Sequence, residues 1–246
     1  MDPFKGTGVA LVTPFHRYGT IDFNSLGRLL QHVMAGKVDF LVVMGTTAES
    51  VTLSRDERAA VLDFILEETQ GAIPVMLGVG GNNTQEVVNT VKALDTTGVG
   101  AILSVSPYYN KPQQSGIYNH YKAIAAATSM PVIIYNVPGR TASNVSSETT
   151  LRLAHDFSNI IGIKEASGNL VQCMEIIRDR PEGFLVLSGD DILTYPILAL
   201  GGDGVISVTA NAFPGDFSTM VRKALEGDYA KARTLHYRLT GIMDLL

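Results

Sequence analysis

The residue best suited to take part in a reaction is Lys164. It lies near the end of an apolar run, in residues 160–168 with the sequence IIGIKEASG. The run has the composition of a buried strand, so the amine of Lys164 is expected to lose much of its hydration. Loss of hydration disfavours an ammonium ion, and a neutral amine can attack a carbonyl group to form a Schiff base. The alternative is that Lys164 reaches solvent and pairs with Glu165 or another acid.

Short apolar runs recur along the chain and show little polar alternation, which predicts strands buried on both faces. They begin near Val9, Phe40, Val75, Ala101, Val132, Ile160, Leu185 and Gly204. Amphipathic stretches lie between them, and eight such units indicate an α/β chain folded as a closed (β/α)8 TIM barrel. A doubly wound open sheet is the alternative. The sequence has no Gly-x-Gly-x-x-Gly turn or Walker loop to support it, and the glycines of residues 78–81 have the wrong spacing.

Several helix starts can be located from capping residues. Ser54-Arg55-Asp56-Glu57 reads as a capping box, after which Val61, Ile65 and Leu66 fall on one helical face. We expect Asn83-Thr84 to open a helix that runs to about Gly98, and Asp190-Asp191 to open another. Three more helices are expected to follow Ser115, Ser146 and Asn169.

The C-terminal part of the chain predicts helices beyond the barrel. Residues 1–226 are expected to form the barrel domain, with its last helix near 213–226. Residues 227–246 are expected to begin a helical C-terminal extension, in which a helix restarts at Gly227-Asp228-Tyr229 and runs to Leu246. Its apolar pattern suggests a helix face that needs a packing partner, in this chain or another. That pattern comprises Leu239, Ile242, Met243, Leu245 and Leu246.

Composition narrows the class of protein. The chain has 246 residues, 46% of them hydrophobic, which supports a sizeable core. Its net charge of −5 and the absence of a basic run argue against a nucleic-acid partner. One cysteine, Cys173, cannot form an intrachain disulfide and favours an intracellular location; it is expected to be a buried helix residue. With no signal core and no membrane-length apolar stretch, we expect a cytoplasmic protein.

A barrel of this type forms its site at the carboxyl ends of the strands. There, Thr46-Thr47 can donate to a carboxylate or merely shape a turn, and Tyr135 can shuttle protons or form a wall of the site. Arg140 can clamp a second carboxylate or be a surface charge. No metal site is predicted, because the histidines share no metal-ligand spacing. They are His16, His32, His120, His155 and His236.

Three segments resemble the dihydrodipicolinate synthase family of the pyruvate-dependent lyase superfamily. They are Gly45-Thr46-Thr47-Ala48-Glu49-Ser50, Tyr135-Asn136-Val137-Pro138-Gly139-Arg140-Thr141 and Gly162-Ile163-Lys164-Glu165-Ala166-Ser167-Gly168. The resemblance runs in order through nearly the whole chain. One departure is Ala48, where the family usually has glycine, which matters if that position needs a positive φ. The family also continues through several more C-terminal helices, so the resemblance implies an extension that is cut short here.

The resemblance implies a role for each candidate residue. Lys164 would form the Schiff base, Thr46 and Thr47 would hold the carboxylate of pyruvate, and Tyr135 would donate and accept protons. Tyr109, supplied by a neighbouring subunit, would complete a relay with Thr46. Arg140 would bind the carboxylate of the aldehyde substrate. Gly189 and Ile206 would line the pocket.

By the same resemblance, the expected reaction joins pyruvate to aspartate semialdehyde and gives 4-hydroxy-tetrahydrodipicolinate on the diaminopimelate route to lysine. No cofactor is expected, since the lysine itself supplies the electron sink. The alternatives are another aldolase of the superfamily, such as an N-acetylneuraminate lyase or a keto-sugar-acid aldolase, and a catalytically silent barrel that binds a small acid. Arg140 argues against the first, because a polyol substrate has no carboxylate for it. The set of Lys164, Tyr135 and Thr46 argues against the second.

The resemblance further implies a homo-oligomer, a dimer of tight dimers with Tyr109 at the dimer contact. In many family members lysine inhibits by binding at that interface. The matching residues here are Ser50, Val51, Asn82, Glu86 and Tyr108. Arg55 and Arg58 stand where sensitive members often carry histidine. They either spoil the site, which predicts weak or absent inhibition, or are solvated helix residues.

Overall fold

The computed structural model describes residues 3–245, which form a closed barrel of eight parallel strands. Each strand pairs with the next along the chain, and the last pairs with the first. The strands are β1 (Gly6–Ala10), β2 (Phe40–Val43), β3 (Val75–Gly78), β4 (Ala101–Val105), β5 (Val132–Asn136), β6 (Ile160–Glu165), β7 (Leu185–Ser188) and β8 (Gly204–Ser207). The predicted barrel is therefore confirmed.

Helices follow the strands and surround the barrel. They are α1 (Phe23–Ala35), α2 (Arg55–Thr69), α3 (Thr84–Ala93), α4 (Gln114–Ala127), α5 (Pro138–Thr141), α6 (Ser147–Asp156), α7 (Leu170–Asp179), α8 (Thr194–Ala199), α9 (Pro214–Leu225) and α10 (Tyr229–Met243). Short 3-10 turns occupy Thr46–Ala48, Ser50–Thr52 and Thr209–Asn211. No helix among the described residues is long and apolar enough to cross a membrane.

Close packing inside the barrel explains where the first strand begins. Its start was predicted near Val9, but β1 begins at Gly6. A side chain at Gly8 would place its Cβ 2.2 Å from the ring of Phe40, so the position accepts only glycine without rearrangement. Glycine carries no apolar signal, which is why the run of apolar residues starts later than the strand.

Strand residues alternate between the inside of the barrel and the helices outside it. The inner set fills the barrel and is closely packed; it includes Ala10, Phe40, Val42, Met76, Leu103, Ile133, Tyr135, Leu187 and Ile206. The outer set packs against the helices; it includes Val9, Leu41, Val43, Val75, Ile102, Ile134, Ile163, Val186 and Val205. Burial on both faces accounts for the continuous apolar runs in the sequence.

The predicted caps are largely confirmed. Ser54 and Glu57 form the capping box at the start of α2, with hydrogen bonds of 3.2 Å and 2.8 Å. Asn83, Ser146 and Asn169 cap α3, α6 and α7. On α2, Val61 and Ile65 are buried and Leu66 is partly buried, as the helical spacing predicted.

Three local predictions were wrong. The α3 helix ends at Ala93 instead of Gly98, because Asp95 accepts a hydrogen bond from the Thr97 amide and forms a turn. The helix expected after Ser115 already begins at Gln114. The helix expected at Asp190-Asp191 begins at Thr194. Asp191 instead accepts from the backbone amides that follow β8, at 3.0 Å and 2.7 Å.

The C-terminal helix packs within this chain. Asp228 caps α10, which contacts α9 and α8. Leu239 and Met243 are buried and Ile242 is partly buried, so for these residues the packing partner that the pattern called for lies in this chain. Leu245 is exposed. The helix was predicted to run to Leu246, which lies outside the described residues, but α10 already ends at Met243 and is followed by a turn at Asp244 and Leu245.

Candidate active site

Lys164 lies inside the barrel near the carboxyl end of β6. In the register of the sheet it stands beside Tyr135 of β5 and Leu187 of β7. Its side chain is only 5% exposed, and its Nζ lies 4.2 Å from the centroid of the Tyr135 ring. A primary amine is thus held in the mouth of the barrel against an aromatic wall.

The amine has no acidic partner. Within residues 3–245, Lys164 makes no ion pair. Glu165, the next residue, points to the outer face because side chains alternate along a strand. Its buried carboxylate is hydrogen-bonded there to Asn136, Ser167 and Gln172. The alternative in which Lys164 extends to solvent and pairs with Glu165 is therefore wrong.

A glycine makes room for the lysine side chain. Gly189 follows β7, and a Cβ at this position would lie 2.6 Å from the Cβ of Ala166 and 3.1 Å from the Cε of Lys164. Contacts this short would push the lysine from its position. Ile206 of β8 is buried among the inner residues of the barrel. Both residues that were expected to line the pocket therefore lie on the inner side, and a side chain at position 189 would collide with Lys164.

Tyr135 brings a phenol next to the amine. It is 7% exposed, and its hydroxyl makes no hydrogen bond among the residues that the structure describes. A buried tyrosine usually satisfies its hydroxyl within the protein. Here the hydroxyl remains open to a bound molecule, as a proton donor and acceptor must be.

The two threonines occupy a tight turn after β2. Just before the turn, Met44 has a positive φ of 59°. Its carbonyl oxygen packs closely against Gly78, where an added Cβ would lie only 2.3 Å away. Backbone bonds close the turn, including one of 3.0 Å from the Glu49 amide to the Thr46 carbonyl. The hydroxyls of Thr46 and Thr47 make no hydrogen bond within residues 3–245, so they do not hold the turn together.

The departure at Ala48 is harmless to the backbone. Its φ is not positive, whereas Met44 and Glu49, on either side of the threonine turn, are left-handed. Ala48 is buried, and its carbonyl accepts a hydrogen bond of 2.8 Å from Thr13. An alanine therefore fits this position without strain.

Arg140 lies in α5, just beyond the end of β5. Its side chain is exposed and makes no ion pair in the described part of the chain. The loop after it is well tied, since the Thr141 hydroxyl donates to the Ser143 carbonyl at 2.7 Å. The guanidinium is therefore free to bind an anion, carried on a segment that begins three residues beyond Tyr135.

Tyr109 is not brought to the other residues by this chain. Its side chain is 87% exposed, and its φ of 75° is unusual for a bulky residue. It follows β4 and makes no hydrogen bond through its side chain within the described residues. A relay from Tyr109 to Thr46 is therefore not formed inside one chain.

The residues expected to bind lysine follow three neighbouring strands. Ser50 and Val51 follow β2, Asn82 and Glu86 follow β3, and Tyr108 follows β4. Val51 and Glu86 are exposed, and the other three are partly exposed. Of the two arginines beside them, Arg58 donates a long hydrogen bond of 3.4 Å to the Ser54 carbonyl, while Arg55 is exposed.

One part of the site was missed from the sequence: a buried polar network on the outer side of β5 and β6. It joins Asn136, Asn144, Glu165 and Gln172. The signal available was that a polar residue follows each of Tyr135 and Lys164. Cys173, in α7, is buried as predicted. Burial, followed by the negative charge of Glu165, raises the pKa of its thiol to about 12.

The fold and the buried lysine at the mouth of the barrel define a (β/α)8-barrel lyase of the aldolase type. Residues 3–246 match the sequence model of the Dihydrodipicolinate synthetase family. The chain belongs to that family.

Individual relatives agree along nearly the whole chain. It is 54% identical over 242 residues to the 4-hydroxy-tetrahydrodipicolinate synthase of Phocaeicola vulgatus, a match covering 98% of this chain and 82% of that protein. A chloride-inhibited dihydrodipicolinate synthase of Acinetobacter baumannii, complexed with pyruvate, is 40% identical with a TM-score of 0.95 and coverage of 98% and 83%. The dihydrodipicolinate synthase of Cyanidioschyzon merolae with lysine bound is 37% identical with a TM-score of 0.94 and coverage of 99% and 83%.

Proposed function

We propose that this protein is a 4-hydroxy-tetrahydrodipicolinate synthase, which condenses pyruvate with L-aspartate-4-semialdehyde on the diaminopimelate route to lysine. The observation that carries the proposal is the buried amine of Lys164, which faces Tyr135 and has no acidic partner among the described residues. Family membership and the names of the similar proteins support the same reaction.

The chemistry begins when the neutral amine of Lys164 attacks the keto carbon of pyruvate and water leaves. The protonated imine then acts as an electron sink, so that a methyl proton is lost and an enamine forms. The enamine carbon attacks the aldehyde carbon of aspartate semialdehyde. The amine of that substrate next displaces Lys164 as the ring closes. The balance is one product molecule and one water, with the lysine regenerated.

The neighbouring side chains receive roles that fit their positions. Thr46 and Thr47, whose hydroxyls have no partner in the described residues, hold the pyruvate carboxylate. Tyr135 moves protons during imine formation and ring closure, because its hydroxyl is free beside Lys164. Arg140 binds the carboxylate of aspartate semialdehyde. Gly189 and Ile206 complete the wall of the pocket.

Assembly completes the relay in this proposal. Tyr109 is 87% exposed and its backbone has a strained φ of 75°, so its ring projects from the surface where a second molecule can reach it. We therefore propose a homo-oligomer, a dimer of tight dimers, in which Tyr109 reaches Thr46 of the neighbouring subunit. Residues 1–226 form the barrel and residues 227–246 begin the helical extension, as the packing of α10 on α8 and α9 supports. We place the enzyme in the cytoplasm.

Lysine is the expected regulator at the interface beside Tyr109. The Cyanidioschyzon merolae protein has lysine bound, which supports lysine as a ligand. The site proposed for it here is made by Ser50, Val51, Asn82, Glu86 and Tyr108. Exposed Arg55 and Arg58 lie next to it, so inhibition is expected to be weak or absent. Titration of lysine in the coupled assay tests this, and strong inhibition at submillimolar lysine contradicts it.

The proposed function is tested by trapping the imine. Pyruvate with borohydride should add irreversibly at Lys164, as located by mass spectrometry, and the Lys164→Arg variant should not be trapped because arginine stays protonated. The matched control is Lys5→Arg, at the opposite end of the barrel, which should be trapped normally. A product-coupled assay with aspartate semialdehyde identifies the second substrate, and turnover only with another aldehyde points to a different aldolase.

The role of Arg140 has its own test. Replacing Arg140 with alanine should raise the KM for aspartate semialdehyde about 10- to 100-fold, since one charge-assisted hydrogen bond is lost. The KM for pyruvate should change far less. An equal rise for both substrates contradicts the assignment.

A further inference from the structure

A buried carboxylate lies on the outer side of the barrel directly behind the reactive amine. Glu165 is 2% exposed and accepts hydrogen bonds from the Asn136 amide at 3.0 Å, the Gln172 amide at 2.9 Å and the Ser167 backbone at 2.7 Å. Within residues 3–245 it makes no ion pair. A buried charge without a cation is costly, which suggests that it is kept for a purpose other than stability.

The register of β5 and β6 places this carboxylate back to back with the reactive pair. Tyr135 pairs with Lys164, and the next residues, Asn136 and Glu165, pair with each other. Because side chains alternate, the first pair faces the barrel interior and the second faces the helices. The hydrogen bond between Asn136 and Glu165 therefore ties together the two strand ends that carry the phenol and the amine.

The same network reaches the segment that follows Arg140. The Asn136 side chain accepts from the Val145 amide at 2.9 Å and donates to Asn144 at 2.8 Å. Asn144 donates to Gln172 at 2.8 Å, and Gln172 donates to the Val145 carbonyl at 3.2 Å. Residues 144–145 lie shortly after α5. The network therefore links β6, which holds Lys164, to the segment that follows Arg140.

Glu165 fixes the orientation of the two side-chain amides that face it. A side-chain amide has a donor end and an acceptor end and can be turned over, whereas a carboxylate only accepts. Because Glu165 accepts, Asn136 and Gln172 must turn their NH2 groups toward it. The oxygen of Asn136 is then left for the Val145 amide, as observed.

We propose that Glu165 is a positioning residue. It holds the strand ends that carry Lys164 and Tyr135 at the spacing the reaction needs, and it fixes the segment after Arg140 relative to them. This inference rests on the proposed Schiff-base function. The competing account is that the network only stabilises the fold. The two accounts differ in whether a folded variant reacts slowly or whether fewer molecules are folded.

Glu165→Gln separates these accounts, because it keeps the shape of the side chain and turns one acceptor into a donor facing other donors. Borohydride trapping at saturating pyruvate gives both the fraction of trapped protein and the rate of imine formation. We expect full trapping at a rate about 10- to 100-fold slower, the size of effect that a misplacement near 1 Å produces. The pyruvate concentration for half-maximal rate should stay within about threefold, since Thr46 and Thr47 lie in the turn after β2 and outside this network.

Two further variants complete the test. Glu165→Gln combined with Gln172→Glu returns an acceptor to the pair and should recover part of the rate. Recovery is not complete, because the hydrogen bond from position 172 to the Val145 carbonyl is lost. Asp203→Asn, which alters another buried carboxylate at the other end of the barrel, should leave the trapping rate unchanged.

The inference is overturned if Glu165→Gln reacts at the wild-type rate, or if only the trapped fraction falls. It is also overturned if Asp203→Asn slows trapping as much. Failure of the wild-type protein to be trapped at Lys164 instead overturns the proposed function itself, so the two failures are distinguishable.

Discussion

The two ends of the barrel differ in whether their buried acidic and basic side chains form ion pairs. At the amino end, Asp203 accepts from Arg180 and lies 3.4 Å from the Nζ of Lys5, so acid and base neutralise each other. At the carboxyl end, Lys164 and Glu165 are adjacent in sequence and equally buried, but they point to opposite faces and do not pair within the described residues.

The difference separates an ion pair that stabilises the fold from an amine that is left available for the proposed reaction. An amine already paired with a carboxylate is held as an ammonium ion and cannot attack a carbonyl. Strand alternation keeps Glu165 away from Lys164, while amide donors satisfy the glutamate. The carboxyl end can therefore contain a buried acid and a buried base without an ion pair that would hold the amine in its charged form.

The largest expected effect comes from removing the unpaired amine. Lys164→Met should lower kcat by on the order of a thousandfold or more, because no other group can form the imine. Its free energy of unfolding should be unchanged or about 1 kcal/mol higher, since a buried polar group without a partner is replaced by an apolar one. Steady-state kinetics and urea unfolding measure the two quantities. Substantial remaining turnover means that the amine is not the nucleophile.

At the amino end we expect a substitution to lower stability and to leave kcat nearly unchanged. Arg180→Met should lower the free energy of unfolding by about 3 kcal/mol, because Asp203 is left buried with a weaker partner. The kcat per trapped active site should stay within about twofold of wild type. Adding Asp203→Asn should restore part of the stability, because the uncompensated charge is gone. A large fall in kcat per active site contradicts the division between the two ends.

Acid should weaken the fold through a histidine in the helices that surround the barrel. Burial lowers the pKa of His120 from 6.5 to about 4, and its ring lies 2.8 Å from the Thr84 hydroxyl. Between these pH values the unfolded chain binds more protons than the folded one, so stability falls as the pH drops. The expected loss from this group is about 2 kcal/mol between pH 7.5 and pH 5.

Urea unfolding across this pH range measures the loss. In His120→Asn, which keeps a polar partner for Thr84, the dependence should be flatter by that amount. An unchanged pH dependence in the variant means that another group titrates.

A smaller effect is expected from adding a side chain at Gly189, beside Lys164. Gly189→Ala should lower kcat about tenfold, because its Cβ would press on Ala166 and on the Lys164 side chain. Gly241→Ala is the matched control, since a Cβ there meets nothing within 4 Å. Equal kinetics for the two variants show that the close approach of Gly189 is not needed for positioning Lys164.

Local patterns were enough to predict most of the elements. Apolar runs located the strands to within a few residues, and Ser54, Asn83, Ser146 and Asn169 were correctly predicted as helix caps. Predictions failed where a side chain had a choice between local and distant partners. Asp191 binds the segment after β8 instead of opening a helix, because a backbone amide 18 residues away is within reach only in the folded barrel.

The sequence by itself determined the family, the barrel and the identity of the candidate lysine, because these depend on composition, order and short motifs. Only the tertiary structure decided which neighbours Lys164 has. Gly189 leaves the space that its side chain occupies, and the ring of Tyr135 lies beside its Nζ. Glu165 is adjacent in the chain but points to the other face, where it accepts hydrogen bonds from Asn136 and Gln172. The physical reason is that hydration and partners of a buried group are set by residues that meet only when the barrel closes.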